Sequence, residues 1–79
     1  MVEAYVLIQT KPGPAGQGVS KDVATIKGVI SAEDVSGPYD VIARARARNL
    51  DELATSVVAS IQLLDGVTRT LVCPVVHLN

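Results

Sequence analysis

The chain has 79 residues, 48% of them hydrophobic but only 3% aromatic, and a formal net charge of −1. That balance excludes intrinsic disorder, which needs low hydrophobicity and high net charge, and it supplies no basic excess to neutralise a nucleic-acid backbone. A single cysteine excludes an internal disulfide framework and a multi-cysteine zinc site.

The mean hydropathy of +0.34 is high for so short a chain. Val, Ala, Leu and Ile make up nearly all of the apolar residues. A small domain without disulfides or large aromatic side chains gains little from its own core. Part of this apolar surface is therefore expected to face a second copy of the chain. No run reaches the roughly 18 apolar residues of a membrane span. Met1-Val2-Glu3-Ala4 lacks the basic start of a secretory signal. With one cysteine, the expected compartment is cytoplasmic.

Val2 to Thr10 (VEAYVLIQT) is β-rich and apolar on both faces, the mark of a central strand. Lys11-Pro12-Gly13-Pro14 turns the chain. From Ala15 to Ile26, the spacing of Val19, Val23 and Ile26 predicts a helix, weakened at its start by Gly16 and Gly18 and stopped by Gly28. Val29 to Ser36 is a second strand and Tyr39 to Ala47 a third, joined as a hairpin by Gly37-Pro38. On the third strand Val41, Ala43, Ala45 and Ala47 share one face, and Asp40, Ile42, Arg44 and Arg46 the other. Asn49 with Glu52 three residues on predicts a capped second helix with an apolar stripe of Leu50, Leu53, Val57, Ile61 and Leu64, ended by Gly66. Val67 to Val76 is the last strand, and Pro74 makes it an edge strand or a bulged one.

The order βαββαβ is an internal repeat. Ile26-Lys27-Gly28-Val29 matches Leu64-Asp65-Gly66-Val67 at an offset of 38, which also places Val19 on Val57 and Val23 on Ile61. These features predict an α+β, ferredoxin-like fold: one four-stranded antiparallel sheet with two helices on one face. Right-handed crossovers put strands one and three in the middle. The other face carries Tyr5, Leu7, Ile42, Ile30 or Val29, and one side of the last strand. A face so apolar predicts pairing with a second copy, at least a dimer.

Catalytic and metal-binding sets are sparse. His77 is the single histidine and reads as a strand-end residue. Cys73 lies in an apolar strand and reads as a buried, inert thiol. A Cys73/His77 metal pair would need ligands from another subunit, so no metal, cofactor or catalytic residue is expected. Arg44, Arg46 and Arg48, with Arg69 possible nearby, read first as an ion-pair or solvent-facing ladder. The glycines follow no phosphate-binding spacing. The most distinctive stretch is Val35-Ser36-Gly37-Pro38-Tyr39-Asp40. It serves as a turn, yet Tyr39 abuts the acid Asp40 at a strand entrance. Exposed N–H groups beside a carboxylate can hold both ends of a zwitterion, and Thr68-Arg69-Thr70 adds hydroxyl donors.

Gly37-Pro38-Tyr39-Asp40, the Asn49-Leu50-Asp51-Glu52-Leu53 helix start and Leu64-Asp65-Gly66-Val67-Thr68-Arg69-Thr70 together resemble the ligand-binding domain of the leucine-responsive/asparagine regulator (Lrp/AsnC) family, also called the regulation-of-amino-acid-metabolism domain. The resemblance spans essentially the whole chain. It implies a ferredoxin-like protomer that dimerises through its sheets into a dimeric α/β barrel-like sandwich. It further implies assembly of dimers, commonly into octameric rings, with an amino-acid effector bound between dimers. By the same resemblance Gly37, Tyr39 and Asp40 contact the effector, Pro38 fills the variable position of the motif, and Thr68 and Thr70 are further candidates. The family's N-terminal winged helix-turn-helix is absent from this sequence. The resemblance is thus to stand-alone members, with full-length regulators as expected partners and no direct DNA or membrane binding. The Pro/Gly-rich entry to helix one departs from the family pattern. Two other classes compete: a small dimeric α+β barrel enzyme of the monooxygenase or isomerase kind, and a purely structural assembly module.

Overall fold

The structure is a computed structural model that describes residues 1–77. Its strands are β1 (Val2–Thr10), β2 (Val29–Asp34), β3 (Val41–Ala47) and β4 (Val67–Pro74). Helix α1 (Val19–Ala24) follows β1. A continuous helical segment, residues 50–62, follows β3 and is labelled α2. The sheet order is β2-β3-β1-β4, and every neighbouring pair is antiparallel. The first and third strands are central, as the crossover argument requires.

Alternation decides which face each strand buries. Ala4, Val6 and Ile8 of β1 and Val41, Ala43, Ala45 and Ala47 of β3 turn towards the helices and are buried. Val19 and Val23 of α1, and Leu53, Val57, Val58 and Ile61 of α2, meet them. The alanines of β3 let the helices approach the sheet closely. Full burial of a side chain such as Ile8 or Leu53 stabilises the fold by about 1.5–3 kcal/mol.

The internal repeat appears as a reciprocal lock. A Cβ on Gly28 would lie 2.7 Å from a methyl of Val57 in α2, and one on Gly66 would lie 2.5 Å from a methyl of Val19 in α1. Val19 and Val57 are the residues that the 38-residue offset equates. Each half's glycine therefore seats against the other half's helix.

Several elements differ from the sequence reading. The first helix begins at Val19, not Ala15; Gly13–Gly16 form a separate 3-10 turn and Gly18 takes φ +77° as the helix cap. Glycines at positions 16 and 18 weaken any α-helix there. The second and third strands are shorter at the hairpin, ending at Asp34 and starting at Val41. In α2, α-helical turns Leu50–Glu52 and Ala59–Gln62 flank a π-helical stretch, Leu53–Val58. Within it the consecutive residues Val57 and Val58 are both buried in the core. Leu50 is 56% exposed and lies outside the stripe. Asn49 caps the helix by accepting from Glu52 N at 2.8 Å, but the Glu52 carboxylate returns to Arg48 N, not to Asn49 N. Cys73 is exposed, not buried. β4 alternates on an edge with apolar residues on both faces, and Cys73 takes the open one, opposite Tyr5.

β4 is an edge strand, as Pro74 predicts. The Val75 amide donates to Glu3 O at 2.8 Å, so the alternating position puts the Pro74 nitrogen on the free edge, where its missing N–H loses no ladder bond. Among the described residues, no helix is long and apolar enough to cross a membrane.

Candidate functional site

The hairpin turn between β2 and β3 is fastened to the end of β1. Val35 N donates to Asp40 O at 2.9 Å and closes the turn. Asp40 N donates to Ile8 O at 2.9 Å. The Asp40 carboxylate accepts from Thr10 N at 2.8 Å and from Thr10 Oγ1 at 3.2 Å, both through Oδ2. Gln9 Nε2 donates to Pro38 O at 3.1 Å. Gly37 takes φ +152°, and nothing lies within 4 Å of where its Cβ would be. The turn is thus pinned at its base and open at Gly37.

Tyr39 is half-buried, and its hydroxyl receives a long 3.4 Å contact from Arg69 Nη2. Arg69 sits on β4 opposite Gln9. Thr68 Oγ1 donates to Gln9 O at 3.2 Å, beside the bulge at Gln9/Thr10. Thr70 lies on the helix side of the sheet, where its hydroxyl accepts from Gln62 Nε2 at 2.9 Å. The structure therefore groups Gly37, Pro38, Tyr39 and Asp40, brings Thr68 near them through Gln9, and turns Thr70 away. Sequence reasoning missed Gln9 and Thr10 as fastenings and left Arg69 unplaced. All three join the turn only through the β1–β3 and β1–β4 registers.

The open sheet face is apolar at its centre and charged at one side. Tyr5, Leu7, Ile42 and Leu71 line the middle, with Tyr5 42% and Leu71 47% exposed. Glu3 bridges Arg44 at 2.6 Å and Arg46 at 3.2 Å, and the Arg44 guanidinium lies 5.8 Å from the Tyr5 ring centre. Hydrogen bonding from Arg44 holds the Glu3 carboxyl below its ordinary value, and the same bond raises Arg44. Arg48 leaves this ladder and pairs with Glu52 of α2 at 2.6 Å. Its hydrogen bond lowers the Glu52 carboxyl.

Two grooves stand out. One of about 270 Å³ lies on the open face between Tyr5, Glu33, Val35, Ile42 and Arg44, and reaches the hairpin turn at Val35. The other, about 820 Å³, lies at the opposite end of the sheet, between the start of β2, the end of β3 and α2. His77 is exposed beyond β4 and lines neither groove. Among the described residues, no three His, Cys, Asp or Glu side chains come together as metal ligands.

The sequence profile of the Lrp/AsnC ligand binding domain matches residues 3–77. The chain belongs to the Lrp/AsnC ligand-binding family. It is 31% identical over 70 residues to an uncharacterised HTH-type transcriptional regulator, PF0250 of Pyrococcus furiosus, a match covering 86% of this chain and 47% of that protein. The chain thus spans about half the length of the curated relatives it matches. Among solved structures, TTHA0845 of Thermus thermophilus is similar over 100% of this chain and 98% of its own, at 30% identity and a TM-score of 0.86. Escherichia coli AsnC shares the fold at a TM-score of 0.84 and 20% identity, over 96% of this chain and 51% of its own. The NMB0573/L-Met complex of Neisseria meningitidis shares it at 0.83 and 16% identity, over 96% and 50%. The chain has the ferredoxin-like sheet of this family with both helices on one face, and Gly37-Pro38-Tyr39-Asp40 is its pinned hairpin turn.

Proposed function

We propose that this Lrp/AsnC domain binds a small effector, an amino acid, at the hairpin turn, and that binding shifts the assembly of a homo-oligomer. One observation carries the reading: the family's turn, Gly37-Pro38-Tyr39-Asp40, is fastened to β1 through Asp40 and Pro38 yet has open space beside Gly37. A rigid base with a free rim suits a site that is pre-organised before ligand arrives. The Asp40 carboxylate and the turn's carbonyls attract an ammonium group, and turn N–H groups take a carboxylate, joined by the Thr68 hydroxyl once it turns from Gln9 O. The likeness to a methionine-bound regulator fold in Neisseria meningitidis supports an amino acid as the class of effector.

The partner in this account is first a second copy, meeting the open sheet face at its apolar centre. Dimers then associate into a ring, and the effector bridges them. A ligand that binds one assembly better than another shifts the population by that difference in affinity. Through the same contacts the domain joins full-length regulators of its family and modulates transcription in the cytoplasm without binding DNA through its own surface, which has no basic excess. No catalytic step is proposed. Calorimetry and light scattering across the twenty amino acids test the reading: at least one binds and changes the assembly. If none does either, the effector role is wrong.

A further inference from the structure

The 820 Å³ groove owes its existence to an asymmetry in the internal repeat. Residues 11–18 connect β1 to α1, whereas only residues 48–49 connect β3 to α2. The long connection of the first half folds over the glycine stop of the second, with the Ala15 carbonyl against Gly66. The connection of the second half is too short to cover Gly28, the glycine stop of the first, and the corresponding space stays open. Its volume falls in the range of small-molecule sites, roughly 300–1,000 Å³.

The lining has a cation surplus. Lys27, Arg46 and Arg48 are among its lining residues, with Arg46 reaching it from the open-face side, against Glu52 as the single carboxylate of the lining. Glu52 is already committed: Arg48 holds it through Nη2 at 2.6 Å, Nε at 2.7 Å and its backbone N at 3.2 Å. Arg46 keeps one 3.2 Å contact to Glu3, a carboxylate that Arg44 holds more closely at 2.6 and 2.9 Å. Lys27 has no ion pair among the described residues. Lys27 and most of the Arg46 donors are therefore available. Between them lie aliphatic walls, Val29 and the half-exposed Ile30, and the hydroxyl of Ser56 on the π-helical wall.

From this lining we infer that the groove is a second ligand site, for a small organic anion: a monocarboxylate with a short branched aliphatic body and no ammonium group. The free cations take the carboxylate, and the aliphatic walls take the body. A zwitterionic amino acid binds less well, because Arg48 already occupies the carboxylate its ammonium would need. The site lies at the other end of the sheet from the hairpin turn, so it stands whether or not the turn binds an effector.

The test is an NMR amide-shift titration of the full chain with 4-methyl-2-oxopentanoate, run beside leucine and inorganic phosphate. The oxo acid is expected to move Lys27, Gly28, Val29, Arg46 and Ser56 while Gly37 to Asp40 stay in place. Lys27→Gln with Arg46→Gln weakens binding about tenfold or more, the effect of two lost partly exposed charge contacts. Ser56→Trp fills the groove, keeps the charges and abolishes binding. Leucine and phosphate bind these residues more weakly than the oxo acid. The inference is overturned if the oxo acid moves nothing up to about 10 mM, a concentration that would load even a millimolar site. It is equally overturned if the oxo acid moves the hairpin alone, if phosphate or leucine matches it, or if either variant binds like the parent.

Discussion

Replacing Gly28 by alanine tests the reciprocal lock that joins the two halves. The new methyl would stand 2.7 Å from Val57 Cγ2 and 3.0 Å from Arg46 O, where ordinary contact begins near 3.4 Å. Val57 is only 3% exposed and cannot swing aside. Overpacking of this kind costs about 1–3 kcal/mol. Gly28 also takes φ +98°, which adds about 1–2 kcal/mol for an L side chain. The sum, about 2–5 kcal/mol, is a large share of the roughly 4–12 kcal/mol expected for a chain of this size. Gly18 is the control: its φ is +77° but nothing lies within 4 Å of its Cβ position, so Gly18→Ala carries the backbone cost alone. Urea unfolding of both variants, of Val57→Ala, and of Gly28→Ala with Val57→Ala separates the terms. Truncating Val57 should recover about 1–2 kcal/mol of the Gly28→Ala loss as a coupling energy. Strict additivity within about 0.5 kcal/mol, or equal costs for the two glycines, would refute the lock.

Further outcomes follow from the same contacts. Asn49→Ala should destabilise the protein by about 1 kcal/mol through loss of its cap on Glu52 N, read as a lower melting temperature, while Asn49→Asp stays within a few tenths. Asp40→Ala should speed amide exchange at Thr10 and Val35, because the carboxylate that holds Thr10 N at 2.8 Å is gone; unchanged protection would mean that Asp40 does not fasten the turn. Glu3 and Glu52 both sit below the ordinary carboxyl value of 4.5, held there by Arg44 and Arg48. The unfolded chain thus binds their protons first, so the stability they contribute is present above pH 4.5 and is lost as pH falls through the lowered values. Urea midpoints should drop across that range, and Glu3→Gln should flatten the drop.

The strand order and the central place of β1 were legible because Val2–Thr10 is apolar on both faces and Pro12 ends it sharply. The alanine face of β3 was equally plain from alternation. What escaped was set by tertiary contact. The helix start at Val19 depends on a 3-10 turn that packs against Gly66 across the fold. The π-helical stretch, in which Val57 and Val58 are both buried, leaves no sign in the helical periodicity. Cys73 was misplaced because β4 has apolar residues on both faces, so composition does not say which face is covered. At the candidate site, turn chemistry marked Gly37 to Asp40, but the fastening by Gln9 and Thr10 follows from the pairing of Ile8 with Val41. A single sequence does not display that register. The repeat offset was visible, yet the unequal connections that open the larger groove gained meaning only once Gly28 and Gly66 were seen to face different surroundings.

The central claim is that the pinned turn holds an amino-acid effector between copies of the chain. A crystal grown with a mixture of the twenty amino acids tests it most directly. The account predicts density for one of them at Gly37 to Asp40, its ammonium towards Asp40 and a second dimer closing the site. A dimer contact packed tightly against Gly37, with no void and no ligand, would contradict it.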